Sequence, residues 1–262
     1  MKRRVVIGGV TILLVFVVVG SLFVLPLSVD QTDGPVEMGS SETFVSSGEI
    51  WVDSDELLVK HNVTVLEENE AHGTFETSNG TIETVSANGT IYKKYETSID
   101  DKDWVEQREP TDAEKVHFGQ HQDRVVMITK ENRTQTDPLG MQFIFDQIRY
   151  LATLPEYDRV DEEADRVVYE PTSAWTEDAA GEMIHVTPEA GELSVDTETG
   201  VLREASLQYE GTDVSSYGEY LLRTGESAEI RVEYEYEPDT DVEDIEAPDW
   251  VTECVKNDRC EF

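Results

Sequence analysis

The sequence predicts an α+β fold that is mainly β: a curled antiparallel sheet or incomplete β-barrel covered by a helix, preceded by an N-terminal transmembrane helix. Three observations predict it. Short runs of β-branched and aromatic residues recur between turn signals from Gly48 to Tyr236, the pattern of consecutive strands. One stretch, Asp137 to Pro155, carries helical spacing instead. Lys2-Arg3-Arg4 precede an uncharged run from Val5 to Val29, long enough to cross a hydrocarbon core of about 30 Å.

Residues 1–30 are expected to form an N-terminal membrane anchor or signal segment. The positive-inside rule puts the three basic residues in the cytoplasm and the chain from Asp30 onward outside. The predicted localisation is therefore the cell membrane, single-pass, with an extracytoplasmic C-terminal domain and the cytoplasmic membrane as a partner. Cleavage near Gly20-Ser21 is the alternative, although a secretory apolar core usually runs only about 7–15 residues. Residues 31–47 read as a polar stalk. A β-rich domain is expected over 48–251, and a tail over 252–262.

Within the domain, Glu49 to Val52, Leu57 to Leu66, Gly73 to Ser78, Thr90 to Thr97 and Val125 to Lys130 read as strands. Asn79-Gly80 and Asn88-Gly89 read as type I′ hairpin turns, since Asn-Gly tolerates positive φ. Met141, Ile144, Phe145, Ile148 and Leu151 then fall at spacings of three and four, with Asp137 as cap, Pro138 at the first position and Pro155 beyond the end. Strands resume at Arg166 to Glu170, Glu182 to Thr187, Gly191 to Asp196, Val201 to Tyr209, Tyr217 to Arg223 and Ala228 to Tyr236. In the last run Ile230, Val232, Tyr234 and Tyr236 alternate with Arg231, Glu233 and Glu235, so one face is buried and one is wet. Cys254 and Cys260 read as a closed disulfide loop in an oxidising compartment, with two free thiols as the other reading.

Composition narrows the function classes. With 57 Asp and Glu against 20 Lys and Arg, the formal charge is -37. Like charges then repel across the surface in dilute buffer, whereas concentrated salt shortens the Debye length to about 3 Å at 1 M. The acids interleave with Val, Ile, Tyr and Trp rather than forming a tail, which points to a folded acidic surface suited to high salt. Nucleic acids and anionic headgroups are excluded as partners, because both need a basic footprint.

Asn62, Asn79, Asn88 and Asn132 each begin an N-x-Thr sequon, open to glycosylation in a surface protein. His117 and His121 could share a metal on a helix, but Gly119 between them favours a polar loop. His61, His72 and His185 lie alone in strand-like runs and read as ordinary surface or interfacial positions. No metal, no cofactor and no catalytic residue is assigned: GxSxG, phosphate-binding glycine loops and dinucleotide fingerprints are absent. Adjacent carboxylates such as Asp161-Glu162-Glu163 are expected as solvated surface in so acidic a chain.

The segments GELSVDTETGVLREASLQYEG, RVEYEYE and IEAPDWV, with the membrane-targeted N-terminus, resemble the haloarchaeal branch of the LolA/LppX-like lipoprotein-carrier superfamily. The most specific parts are Val195-Asp196 through Gly200-Val201-Leu202 and Pro248-Asp249-Trp250. The resemblance implies an incomplete antiparallel barrel wrapped over helices, with an apolar cavity for lipids or lipoprotein acyl chains. The chain departs from lipid-modified relatives in lacking a lipobox Cys, and a tethered carrier cannot shuttle between membranes. The expected function is a non-catalytic, membrane-anchored extracytoplasmic protein binding a lipid or acyl chain, with Phe143, Phe145, Ile148 and Tyr150 lining its cavity. The alternative is a structural or interaction module of the cell envelope with a filled core.

Overall fold

The computed structural model describes residues 36–252, apart from 40, 42, 54–55, 67–69, 88, 109–113, 133–140, 178–181, 215–218, 221–222, 224–226, 239–241, 243–244 and 246–247. The strands are β1 (Phe44–Val52), β2 (Glu56–Val65), β3 (Ala71–Thr77), β4 (Gly80–Ala87), β5 (Thr90–Ser98), β6 (Glu114–His121) and β7 (Arg124–Asn132). They continue with β8 (Glu156–Glu162), β9 (Arg166–Thr172), β10 (Ala174–Glu177), β11 (Met183–Asp196), β12 (Leu202–Asp213) and β13 (Ala228–Pro238). A 3-10 turn, Ile99–Asp101, leads into helix α1 (Lys102–Glu106), and helix α2 spans Met141–Ala152.

All thirteen strands join one sheet, in the order β6-β7-β5-β4-β3-β2-β1-β13-β12-β11-β9-β8, with β10 also pairing β11. Every ladder is antiparallel. The first strand pairs with the last, so the chain's two arms grow outward from the β1/β13 ladder. Among the described residues the sheet does not close: β6 and β8 are the outermost strands at its two ends.

This corrects the α+β, barrel-like expectation. The protein is a mainly β open sheet with short helices. Alternation reveals which side of a strand is buried but not whether a sheet shuts on itself, and seven-residue β8 is exposed along nearly its whole length. With no apolar face to hide there, closure would bury charge and gain little. The single-pass membrane localisation is corrected as well: among the described residues no helix is long and apolar enough to cross a membrane. Residues 1–30, on which that expectation rested, lie outside the described residues.

Local expectations fared unevenly. The helix forms over Met141–Ala152, while its proposed cap at Asp137 and Pro138 lies outside the described residues. Tyr217 to Arg223 is not a strand, since 219–220 are helical. Four strands, β4, β6, β8 and β10, were not anticipated. The β3–β4 turn sits at Ser78-Asn79, with Gly80 already paired to Thr77 and no positive φ at either Asn79 or Gly80. Glycine is needed at 80 for space instead, because a Cβ there would lie 2.5 Å from the Glu96 carbonyl oxygen. Gly89 does take φ +74. Upstream, Val36 is buried, Glu37 bridges Val201, and the first strand begins at Phe44, ahead of Gly48.

The main core lies on the α2 side of the sheet. Ile50, Val63, Phe75, Leu193, Leu207, Tyr209 and Val232 meet Ile144, Ile148, Leu151, Ala152 and Leu154. On the other arm α1 sets Val105 and Trp104 against Tyr95, Val125 and Met127. The C-terminal turn folds onto the opposite face there, packing Trp250 and Val251 on Val85, Tyr92 and Ile128.

Candidate functional site

The helix-covered face was expected to hold the ligand. Ile148 is 1% exposed at the centre of the α2 stripe, and Phe145 and Tyr150 flank it, partly buried against the same cluster. Phe145 stacks near Phe44, at 6.0 Å, and meets the Tyr234 ring edge-on at 6.4 Å. Phe143 faces away, 68% exposed. Helical geometry explains this, since residue 143 sits about 100° from Ile144 and roughly 140° from Ile148 around the axis. Phe143 is thus not part of the stripe's inner wall.

Two tyrosines fasten the end of the helix. Tyr209 donates its hydroxyl to the Leu151 carbonyl at 3.0 Å, and Tyr157 donates to the Ala152 carbonyl at 2.6 Å. Both carbonyls belong to the last turn, where the intrahelical ladder runs out, and the Leu151 carbonyl also accepts a long 3.5 Å bond from the Leu154 amide. Burial raises both phenols well above their ordinary range, with the Tyr157 and Tyr150 charges adding to the rise at Tyr209. They stay protonated donors. An acyl-sized hollow would leave its walls accessible to a water-sized sphere, yet Val63, Leu193, Tyr209, Val232 and Ala152 are all at 0%.

A polar cluster lies within this core. Ser46 Oγ and His61 Nε2 share a hydrogen bond of 3.1 Å, and the His61 and Tyr234 rings lie 6.2 Å apart. Burial pushes His61 down to about 4, so it is neutral near pH 7. Burial also raises Tyr234, partly offset by the Ser46 hydroxyl. Ser–His contact is the first element of nucleophilic catalysis, but Ser46 is 1% and His61 2% exposed, so no substrate reaches the hydroxyl while α2 is seated. The expectation of His61 as an ordinary surface or interfacial residue missed this. Its signal was parity, since Val59, His61 and Val63 share the apolar phase of β2.

The opposite face is polar. Two adjoining hollows of about 400 and 480 Å³ cross β2, β1, β13, β12 and β11, sharing Ser47, Glu204 and Glu235. Glu49, Glu192 and Glu233 line the first with Lys60; Asp165, Asp196 and Glu237 line the second with Arg166 and Arg203. Register sets Glu49 opposite Glu233 and Glu204 opposite Glu235. Like charges in direct cross-strand pairs oppose sheet formation. Compensation is partial: Lys60 reaches Glu49 at 3.5 Å, and the Ser206 hydroxyl donates to Glu233 at 3.2 Å.

Other side-chain groups act as fasteners. Glu83 accepts from Trp250 Nε1 at 2.7 Å and pairs with His72 Nε2 at 3.1 Å, clasping the C-terminal turn to β3 and β4. Burial pushes the Glu83 carboxyl up, but His72, Trp250 and Lys94 together hold it below its usual range. Trp175, His185 and Tyr220 stack with centroids 4.2 to 5.3 Å apart, fixing the 219–220 turn over β10 and β11. Burial lowers His185.

His117 and His121 lie on β6, an edge strand rather than the expected loop. Four residues of strand span about 13 Å, too far for one ion. Among the described residues no group of His, Cys, Asp or Glu has a metal-holding arrangement. Asn62, Asn79 and Asn132 are exposed; Asn88, Cys254 and Cys260 lie outside the described side chains.

The Asp196 to Gly200 motif is turn chemistry. Asp196 Oδ1 accepts from the Glu198 and Thr199 amides and from the Thr199 hydroxyl, and Gly200 takes φ +73. Hydrogen bonds from Arg203 and Thr199 hold the Asp196 carboxyl far below its usual range. Any hairpin needing this bend would favour the same residues. Comparisons with family models, curated proteins and solved structures find no match for this chain.

Proposed function

We propose that the chain is a non-catalytic interaction module, a rigid acidic sheet with a filled core that works through its surface and edges. The observation supporting this reading is the seating of α2: its apolar stripe is buried and its last carbonyls are held by Tyr209 and Tyr157. A lipid or acyl carrier needs the same volume empty, or a cover that lifts. Lifting α2 would break one buried and one part-buried hydrogen bond and expose the stripe, at several kcal/mol in total. The sealed Ser46–His61 pair likewise favours a structural role for the one buried Ser–His contact described.

Titration with a fluorescent fatty acid in multimolar KCl tests the reading. No saturable uptake is expected from the full chain. Saturation at one probe per chain, with competition by unlabelled fatty acid, would return the carrier function.

A further inference from the structure

The strands β5 and β7 are apolar on both faces. Toward the helices, Tyr95, Val125 and Met127 meet Val105 of α1. On the other side, the one that carries the acidic hollows, Val85, Tyr92 and Ile128 form a strip with Val116 and Val126 packed beside it. Register sets His72 against Val85, Lys94 against both Glu83 and Ile128, and Lys130 against Tyr92, so charge borders the strip. A strand apolar on both faces needs a cover on each. Here the second cover is the C-terminal turn, whose Trp250 and Val251 are 7% and 3% exposed.

This cover is held far more lightly than α2. Among the described residues its backbone hydrogen bonds are internal, from the Val251 and Thr252 amides to the Pro248 carbonyl at 3.0 and 3.3 Å. Its polar tie to the sheet is the Trp250 Nε1 donor on Glu83 Oε2, at 2.7 Å. The cluster it builds is separate from the main core. Two buried side chains and one hydrogen bond therefore hold the turn. A segment with so few buried contacts, and no backbone bond to its neighbours, opens at lower free energy than the sheet beneath it. Nor does opening strand a charge, because Glu83 Oε1 keeps His72 Nε2 at 3.1 Å when the indole leaves.

We propose that Pro248–Thr252 is a strap that opens while the sheet stays folded, with Trp250 as the latch and Glu83 as the catch, and that its opening bares the apolar strip. Closed, this face offers other acidic chains mainly like charge. Open, it offers an apolar patch rimmed by polar groups, the kind of surface that marks interaction sites. The inference rests on the interaction-module reading and deepens it, by naming the apolar part of the working surface and what keeps it shut. The two fail separately: fatty-acid uptake reads the α2 side and is blind to the strap, while strap release is blind to whether the α2-side core is filled.

The test is urea titration of the full chain in multimolar KCl with three probes. Far-ultraviolet circular dichroism follows the sheet, Trp250 emission, taken as the difference from Trp250→Phe, follows the strap, and the uncharged dye Nile red follows the strip. The Trp250 transition should come at lower urea than that of the sheet and with a shallower slope, since little surface is exposed, and dye emission should rise between the two. Glu83→Ala should raise the open population about tenfold, the worth of a hydrogen bond to a charged group, and bring the Trp250 transition to lower urea while the sheet midpoint moves far less. Glu83→Gln keeps an acceptor oxygen and should shift the Trp250 transition less than Glu83→Ala. Coincident transitions in the parent would overturn the proposal, because the turn would then be an integral part of the fold. So would equal shifts of the two midpoints in Glu83→Ala, or early release of Trp250 without dye uptake.

Discussion

Replacing Ile148 by alanine probes whether α2 is a fixed part of the core. Ile148 is 1% exposed in the cluster that includes Leu207, Tyr209 and Val232, each at 0–1%. The substitution deletes three carbons, a transfer loss of about 2.4 kcal/mol at ~0.8 kcal/mol per methylene. Neighbours this closely packed relax little. A residual void of roughly 60 Å³ adds about 1.4 kcal/mol at ~24 cal/mol per Å³. The expected loss is therefore 3 to 4 kcal/mol, or about 10 °C in melting temperature for a domain this size. Urea unfolding in multimolar KCl, followed by tryptophan fluorescence, reads it. Phe143→Ala, on the exposed side of the same helix, should shift stability by less than about 0.5 kcal/mol. A loss below about 1 kcal/mol for Ile148→Ala, or equal losses for the two variants, would refute the seating of the helix.

Two further outcomes follow from the polar groups. His61 titrates near 4 when folded and near its ordinary 6.5 when unfolded. Above pH 6.5 both states are neutral and stability is flat. Between 6.5 and 4 the unfolded chain takes up the proton first, so stability falls with pH by a total of order 3 kcal/mol. His61→Asn should flatten the slope between pH 6.5 and 5 relative to the parent in urea unfolding, and an unchanged slope would locate the titration elsewhere. On the opposite face, Glu233→Gln removes a like-charge pair with Glu49. It should stabilise the protein by about 0.5–1 kcal/mol in dilute salt, and the gain should fade in multimolar KCl. A salt-independent effect would mean the register pair is not repulsive.

How much of this was legible depends on what each residue's periodicity encodes. Ile230, Val232, Tyr234 and Tyr236 reported the buried face of β13 directly, because a strand's two-residue period is set by backbone geometry alone. Ile144, Ile148 and Leu151 did the same for α2. Phe143 misled, since an apolar residue beside the stripe reads as a wider arc although its own direction points to solvent. The strands β6 and β8 escaped notice because edges lack a buried face and so lack alternation. Openness of the sheet was invisible for the same reason: it is decided by what those two edges fail to bury. His61 carried a readable parity, yet its partner Ser46 sits on another strand, and only the β1–β2 register brings them together.

Amide hydrogen exchange along Met141–Ala152 bears most directly on whether this domain is a closed interaction module. The account predicts α2 protected to the level of β12 and β13 and unmoved by added lipid vesicles. Rapid exchange confined to α2, or protection that rises when lipid is present, would contradict it.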